Sequence, residues 1–224
     1  MELLIATGNP HKLDEMRAIL DDATVSLRCL ADLPEPIDEP VEDGETFEAN
    51  AELKARYYAK ATGMLCLADD SGLEVDALHG EPGVRSARYS NTNGQRAERD
   101  TANCALLMKN LDGVPAEQRT ARFVCAMALV DGRAEDDPLV ALVRGTMEGR
   151  IITPDQAEDP AHPERGRGHN GFGYDPLVYL PDRGKTVAEL SSEDKNAISH
   201  RGNALMKILP YIRRTLGNPS VVTG

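Results

Sequence analysis

The middle of the chain reads Phe123-Val124-Cys125-Ala126-Met127-Ala128-Leu129-Val130, then Asp131-Gly132-Arg133 and an acidic segment, then Leu139-Val140-Ala141-Leu142-Val143-Arg144-Gly145-Thr146. Both apolar runs have the length of buried strands, and turn-forming residues separate them, so we predict a hairpin here. On either side of this hairpin, short apolar runs alternate with helical patterns, which indicates an α/β protein. A hairpin within such an order favours a mixed sheet over a wholly parallel one.

The remaining strands and helices are predicted from the same patterns. Short apolar runs predict strands at Leu3–Ala6, Thr24–Leu30 and Met64–Ala68, the last stopping at Asp69-Asp70-Ser71-Gly72. Proline and acidic residues predict loops at 31–45 and 153–171. Helical spacing predicts helices from Pro10, over Thr46–Thr62, over Arg96–Asn110, and from a cap at Ser191 or Ser192 with a core face of Ile198, Leu205, Ile208, Leu209, Ile212 and Leu216.

Length and charge restrict the class of protein. The chain has 224 residues, enough for one large domain or two small lobes, and a net charge of −12. An acidic chain without a basic stripe argues against a general nucleic-acid or membrane-surface partner. No apolar run approaches the ~20 residues that span a bilayer, and the N-terminal residues lack the basic start of a signal peptide, so a cytoplasmic protein is expected. The cysteines Cys29, Cys66, Cys104 and Cys125 are widely spaced, which makes a zinc site or disulfide framework improbable.

The first candidate site is Thr7-Gly8-Asn9-Pro10-His11-Lys12. A predicted strand leads into a glycine turn that opens a helix, with Asn9 suited to the N-cap and Pro10 to the first helical position. A helix N-terminus offers free N–H groups to phosphate, and Lys12 could add a positive charge. An ordinary capped helix start also fits this pattern.

The second and third candidates are acidic. Asp69-Asp70-Ser71-Gly72 follows a buried run, and hard carboxylate oxygens suit Mg²⁺; an acidic turn fits as well. On the predicted helix Thr46–Thr62, Asn50 and Lys54 are four residues apart and share one face, which could equally be a solvated stripe. Further acids for a metal precede that helix, at Glu39, Glu42, Asp43 and Glu45.

Two later segments could recognise a base. Gly171-Phe172-Gly173-Tyr174-Asp175-Pro176 places aromatic rings beside glycines, so a purine could stack there and Asp175 could accept hydrogen bonds; a β-turn with a buried Phe is the alternative. Lys195, His200 and Arg201 are donors near the start of the last predicted helix, where an unused cationic turn would oppose the helix dipole. Phosphate turn, carboxylates, aromatic platform and donors together predict a nucleoside triphosphate site.

On these segments the chain resembles the inosine triphosphate pyrophosphatases, the dITP/XTP pyrophosphatases that act on noncanonical purine nucleotides. The matching segments run in the family's order from Leu4 to about Leu209, nearly the whole chain. They are Ala6-Thr7-Gly8-Asn9 with Lys12; Thr46-Phe47 with Asn50-Ala51 and Lys54-Ala55; Ala68-Asp69-Asp70-Ser71-Gly72-Leu73 with Val75-Asp76; Pro82-Gly83-Val84 with Ser86-Ala87-Arg88-Tyr89; Gly171-Phe172-Gly173-Tyr174-Asp175-Pro176; and Ser199-His200-Arg201.

The resemblance implies a fold and an activity. The fold would be an elongated mixed β-sheet with flanking helices, forming two lobes around a central cleft. Residues 1–217 would be a single catalytic domain, with a flexible tail at 218–224. The enzyme would hydrolyse the α–β phosphoanhydride of ITP, dITP or XTP with Mg²⁺, releasing the monophosphate and pyrophosphate, and would clear deaminated purines as a homodimer.

The resemblance also implies roles for the candidate residues. Thr7 to Lys12 would hold the triphosphate, and Lys54 and Ser71 would touch phosphate. Asp70 would bind metal and activate water, with Glu42 as a second metal ligand and Asp69 in support. Phe172, Gly173, Tyr174 and Asp175 would hold base and sugar, and Lys195, His200 and Arg201 would contact the 6-oxo group.

Three departures from the family's pattern keep alternatives open. By register, Val41 stands where the family often has a Glu, the loop 155–167 is about ten residues longer than usual, and Val178 replaces a more usual aromatic residue. The alternatives are a non-catalytic nucleotide sensor, and a hydrolase that attacks the γ-phosphate or another modified nucleotide.

Overall fold

The computed structural model describes residues 2–20 and 25–217, without the side chain of His11. The start of the predicted strand at Thr24, the contacts expected of His11 and the predicted tail at 218–224 therefore lie outside the described residues. Within them are seven strands: β1 Glu2–Ile5, β2 Ser26–Cys29, β3 Leu65–Val75, β4 Thr120–Asp131, β5 Leu139–Ile151, β6 Val178–Leu180 and β7 Lys185–Thr186. The helices are α1 Pro10–Leu20, α2 Phe47–Thr62, α3 Arg96–Asn110, α4 Ser192–Ile198 and α5 His200–Thr215, and short 3₁₀ turns connect several elements.

The strands form one mixed sheet in the order β2-β1-β3-β4-β5-β6-β7. Strand β1 runs parallel to β2 and to β3, whereas β5–β6 and β6–β7 are antiparallel pairs. Strands β4 and β5 are neighbours, and the amide of Asp131 donates to Pro138 O across the turn between them. The predicted α/β class, the mixed sheet and the adjacent mid-chain strands are confirmed. The arrangement of two lobes around a cleft stays a prediction.

Helix α2 shows how local sequence sets an element that later positions the site. The Thr46 side chain accepts a hydrogen bond from Ala49 N and caps the first turn. Gly63 adopts the left-handed conformation at φ 64° and ends the helix, where a side chain would be strained. The buried face includes Phe47, Asn50 and Tyr58, so one polar side chain of this helix lies within the protein.

The described chain divides into two compact units, each with its own apolar core. Unit 1 comprises residues up to Asp70, Cys125–Gly145 and residues from His200, and unit 2 comprises Ser71–Val124 and Thr146–Ser199. The core of unit 1 includes Leu3, Met16, Leu65, Leu205 and Ile208. The core of unit 2 includes Leu73, Leu107, Leu111, Leu177 and Val178.

The strand at the acidic pair is longer than predicted. The prediction that it stops at Asp69-Asp70-Ser71-Gly72 is wrong, because β3 continues to Val75. Cationic and amide partners from other elements lie beside both carboxylates, so the charges do not end the strand. At Gly72 the strand lies so close to the Ser86 side chain that an added Cβ would collide with it, and Ser86 Oγ accepts the amide of Leu73 at 2.9 Å.

The last helix is also different from the prediction. Ser191 caps α4 by accepting from Asp194 N, but Ser199 is extended at φ −64° and ψ 150°, which separates α4 from α5. Lys195 is therefore on one helix, and His200 and Arg201 begin another. Ile198 was predicted on the core face of the last helix, yet it packs against the core of unit 2, whereas Leu205, Ile208 and Ile212 are in the core of unit 1.

Within the described residues, no helix combines the length and apolar character needed to cross a membrane.

Candidate active site

The register of β1 and β3 brings the phosphate-binding candidate to the acidic pair in unit 1. Ile5 pairs with Leu67, and the amide of Ala6 donates to Leu67 O at 2.8 Å. Because the two strands are parallel, the turn after β1 and the residues after Leu67 lie at the same position along the sheet. Thr7 and the pair Asp69-Asp70 are therefore neighbours, as the sequence analysis predicted for different reasons.

The turn Thr7-Gly8-Asn9 is fixed by its own hydrogen bonds. The amide of Asn9 donates to Thr7 Oγ1 at 3.2 Å, and Asn9 O accepts the amide of Leu13 at 3.1 Å. Asn9 thus occupies the N-cap position and Pro10 the first helical position, in agreement with the prediction. Gly8 faces the carboxylate of Glu39, since an added Cβ would approach Glu39 Oε1 to 2.8 Å.

Asp70 is a buried carboxylate held by helix α2. Its Oδ2 accepts from Asn50 Nδ2 at 3.0 Å, and its Oδ1 lies 3.8 Å from Lys54 Nζ. The four-residue spacing of Asn50 and Lys54 puts both donors on the face that meets β3. Burial raises the pKa of Asp70, and the charges of Lys54 and Lys12 with the Asn50 hydrogen bond only partly offset this.

The acidic loop before α2 reaches the same centre through Glu42. Lys54 Nζ lies 3.1 Å from Glu42 Oε2, and Asn50 Oδ1 accepts the amide of Gly44 at 2.8 Å. Burial by itself would lower the pKa of Lys54, but the charges of Asp70, Asp69 and Glu42 outweigh burial and raise it. Lys54 therefore stays protonated between two carboxylates.

The donor set at this centre fits a divalent cation of the magnesium type. Mg²⁺ typically takes one or two carboxylates and completes its shell with water and substrate phosphates. Asp70 and Glu42 are two such carboxylates on one ammonium group. The described residues contain no group of three or more His, Cys, Asp or Glu side chains suited to a metal, so a closed protein cage is not present there. Water or substrate oxygens would complete the shell of a metal at this centre.

Asp69 faces different partners from Asp70. Its side chain is fully buried, and its Oδ2 lies 2.9 Å from Lys12 Nζ and 3.7 Å from Arg201 Nε. Burial opposes ionisation, but Lys12 and Arg201 outweigh it and hold the pKa of Asp69 below its ordinary value. Among the described residues Asp69 Oδ1 has no hydrogen-bond partner.

Arg201 is buried in this charge cluster of unit 1. Only 1% of the residue is exposed, and its Nη1 donates to Glu15 on helix α1. The neighbouring His200 is also buried and begins α5, where Gly145 packs so closely that an added Cβ would collide with His200 O. Glu15 as the partner of Arg201 was not predicted, because its position in α1 carries no local signal of that pairing.

The aromatic segment in unit 2 is built around Asp175. Gly171 has φ 82°, and an added Cβ there would collide with the Asp175 carboxylate. Asp175 Oδ2 accepts from the amide of Phe172 at 2.9 Å and from Lys195 Nζ at 2.7 Å. Lys195 Nζ also lies 4.7 Å from the centre of the Phe172 ring. The structure thus brings Lys195 and the predicted platform together.

Tyr174 anchors the same segment. The side chain is buried, its hydroxyl donates to Ser86 O at 2.9 Å, and burial raises its pKa above the ordinary range. Asn103 on α3 also donates to Ser86 O, and its own Oδ1 accepts the amide of Ser90. Ser86, in the segment Ser86-Ala87-Arg88-Tyr89, therefore anchors Tyr174 of the aromatic segment through its carbonyl oxygen. The sequence motif did not indicate this contact.

The predicted site residues fall into two groups. Thr7 to Lys12, Glu42, Lys54, Asp69, Asp70, His200 and Arg201 belong to unit 1, and Ser71, Phe172, Gly173, Tyr174, Asp175 and Lys195 belong to unit 2. Ser71 directly follows Asp70 in β3 and is half-buried. That the two groups form one site stays a prediction.

Known proteins are similar to this chain in sequence and in fold. The model of the Ham1 family matches residues 3–211. The dITP/XTP pyrophosphatase of Geobacillus kaustophilus is 47% identical over 208 residues, which cover 92% of this chain and 92% of that protein. The dITP/XTP pyrophosphatase of Nocardia farcinica is 49% identical over 215 residues, 94% of each chain.

A solved structure agrees with these relatives. The HAM1 protein from Coxiella burnetii superposes with a TM-score of 0.80 at 36% identity, covering 96% of this chain and 99% of that one. The match of the family model over most of the chain, the close relatives and the shared fold lead to one assignment: this chain belongs to the Ham1 family.

Proposed function

We propose that this chain hydrolyses the α–β phosphoanhydride of the deaminated purine nucleotides ITP, dITP and XTP, releasing the nucleoside monophosphate and pyrophosphate. The observation that carries the proposal is the centre of Asp70, Glu42 and Lys54 beside the turn Thr7-Gly8-Asn9. The names of the relatives, dITP/XTP pyrophosphatases at 47% and 49% identity, support the same substrates.

Asp70 is the proposed catalytic base. Its carboxylate is buried near the turn that follows β1, where it would accept the proton that an attacking water loses. Asn50 and Lys54 hold the carboxylate in place. Mg²⁺, held by Asp70 and Glu42 with Asp69 in support, would neutralise phosphate charge and lower the pKa of bound water.

The cations and amides of this chain would position the triphosphate. Thr7, Gly8, Asn9, Pro10 and His11 form the N-terminus of α1, whose positive dipole end favours phosphate. Pro10 has no N–H to donate, and the amide of Asn9 already donates to Thr7 Oγ1. Lys12, Lys54 and Ser71 would contact phosphate oxygens. Since phosphoryl transfer depends mostly on positioning and electrostatics, well-placed cations are sufficient for this role.

Base selection is assigned to Phe172, Gly173, Tyr174, Asp175, Lys195, His200 and Arg201. A purine would stack on Phe172, and donors would meet the 6-oxo oxygen. Adenine presents an amino group at that position, and each buried donor left unmatched costs about 1–3 kcal/mol. Several such donors would discriminate strongly against ATP.

The first test separates the products. Purified protein is incubated with ITP, dITP, XTP and ATP, with Mg²⁺ and with a chelator. We expect monophosphate and pyrophosphate from the first three, little from ATP and none with chelator. Diphosphate and orthophosphate would instead indicate attack at the γ-phosphate, and ITP binding without product would indicate a sensor. Either result would overturn the proposal.

The second test concerns the base. Asp70→Asn should abolish turnover while the thermal unfolding midpoint stays near wild type. Asp14→Asn is the matched control, because Asp14 is an exposed carboxylate of the same unit on α1 and should leave turnover unchanged. An active Asp70→Asn enzyme would contradict the assigned role.

A homodimer and a cytoplasmic location complete the proposal. Sedimentation at micromolar concentration, giving twice the mass of one chain, would support the dimer. Fractionation of the source cells would test the location.

A further inference from the structure

The dipeptide Phe172-Gly173 is held by two carboxylates in the same manner. Asp175 accepts the amide of Phe172, and Asp100 on α3 accepts the amide of Gly173 at 3.0 Å. Each carboxylate also pairs with a cation that lies over the Phe172 ring: Lys195 for Asp175 and Arg96 for Asp100. The Arg96 guanidinium is 4.6 Å from the ring centre, and Lys195 Nζ is 4.7 Å from it.

The Arg96–Asp100 pair stabilises helix α3 little by itself. Arg96 is its first residue, where the helix dipole disfavours a cation. In the Arg96–Asp100 pair the cation precedes the anion by four residues, which is the less favourable order, and the pair is long at 3.7 Å. The contacts with Phe172 and Gly173 are therefore what this pair supplies.

We propose that Arg96, held by Asp100, is a positioning residue that fixes the plane of the Phe172 ring for stacking of the substrate base. The Lys195 ammonium and the Arg96 guanidinium lie 4.7 and 4.6 Å from the ring centre, so tilting the ring would weaken these cation–π contacts. A platform already fixed in its binding orientation loses less entropy when a base stacks on it. The inference rests on the proposed function, because it takes Phe172 as the base platform.

The test separates base binding from phosphate binding. Arg96→Ala should raise KM for ITP about two- to fivefold, the range of an exposed cation–π contact, with kcat within about twofold. Inhibition by inorganic tripolyphosphate, which has no base, should not change. Arg96→Lys keeps the positive charge, so its KM should be close to that of wild type. Asp100→Asn weakens the anchor of both Arg96 and Gly173, so it should raise KM at least as much as Arg96→Ala.

Arg99→Ala is the matched control. It removes an exposed arginine from the same helix, one turn from Arg96, and should leave KM unchanged. A purely structural role for Arg96 would change kcat and tripolyphosphate inhibition together with KM, and the lysine variant would not rescue it. Such a joint change without rescue would overturn the inference. A KM of Arg96→Ala that is unchanged or lower than wild type would overturn it as well.

Calorimetric titration with IMP distinguishes failure of the inference from failure of the proposed function. If wild type binds IMP but hydrolyses no triphosphate, the proposed function fails, and a two- to fivefold weaker IMP affinity in Arg96→Ala still supports the inference. If wild type is active and Arg96→Ala binds IMP as tightly, the inference fails alone. If wild type neither binds IMP nor turns over ITP, both are overturned.

Discussion

Replacing Asn50 by alanine should raise the Mg²⁺ concentration that the enzyme needs for half-maximal activity. Asn50 is fully buried, and its amide joins two parts of the proposed metal site. It donates to Asp70 at 3.0 Å and accepts the amide of Gly44, two residues after Glu42, at 2.8 Å. Asn50→Ala keeps the carboxylates of Asp70 and Glu42 in the chain. It removes the amide that orients Asp70 and holds the loop that carries Glu42.

The expected size follows from these two bonds. Loss of a hydrogen bond that orients a metal-binding carboxylate typically costs 10–100-fold in metal affinity or activity, or about 1.4–2.7 kcal/mol. The part-buried amide of Gly44 would also lose its acceptor, so the free energy of unfolding should fall by about 2–4 kcal/mol. For a chain of this length, the unfolding midpoint should drop by roughly 5–15 °C.

The assay is a Mg²⁺ titration of ITP hydrolysis at a temperature where the variant is folded. Asn103→Ala is the matched control, because Asn103 is a buried asparagine with two hydrogen bonds, to Ser86 O and from Ser90 N, and it contacts no carboxylate through them. It should lose comparable stability and keep the wild-type Mg²⁺ requirement. High Mg²⁺ should restore activity to Asn50→Ala but not to Asp70→Asn.

One outcome would refute this reasoning. If Asn50→Ala loses stability like Asn103→Ala while its half-saturating Mg²⁺ stays within twofold of wild type, Asn50 is only a packing residue. Glu42 and Asp70 would then need no orienting group.

Three further results are expected. Lys12→Met removes the nearer of the two ion-pair partners of the buried Asp69 and leaves Arg201 at 3.7 Å, so the free energy of unfolding should fall by about 3 kcal/mol in urea titrations; an unchanged midpoint would contradict the ion pair. Arg119→Met removes a buried guanidinium whose nitrogens donate to three carbonyl oxygens, and should cost about 3–5 kcal/mol by thermal unfolding while kcat of the folded variant is kept; a loss under 1 kcal/mol would count against it. Hydrogen bonds from Arg122 and Thr120 lower the pKa of Asp76, so their stabilisation is present above the ordinary value of 3.8 and is lost as pH falls through the lower pKa of the folded state. Asp76→Asn should therefore lose less than about 1 kcal/mol at pH 7 and converge with wild type in acid, and a difference independent of pH would refute the assignment.

Local sequence was enough to predict most of the helices and strands, whereas the roles of the candidate site residues stay predictions. Helix α3 has the predicted bounds Arg96–Asn110. The prediction succeeded because the apolar spacing and the flanking residues that set these bounds lie within the segment itself. The pair Asn50 and Lys54 was predicted on one face of α2, and the structure directs both at Asp70. The acidic loop left several candidates open, and the contact of Glu42 with Lys54 favours one of them.

Errors arose where a distant partner overrides a local signal. Two adjacent aspartates and a glycine usually interrupt a strand, but here Lys12, Lys54 and Asn50 contact the carboxylates, and β3 continues. No proline or glycine marks the break between α4 and α5 at Ser199, so the local sequence did not predict it. On either side of this break, Ile198 packs against the core of unit 2 and Leu205 lies in the core of unit 1.

The sequence by itself determined the α/β class, the mixed sheet and the set of reactive residue types, because these depend on apolar periodicity and short motifs. Only the tertiary structure decided which charges meet. Asp69 binds Lys12 and Arg201 whereas Asp70 binds Asn50 and lies beside Lys54, although the two aspartates are neighbours in sequence. Successive side chains of a strand point to opposite faces, so packing on each face, and not the order of residues, assigned their partners.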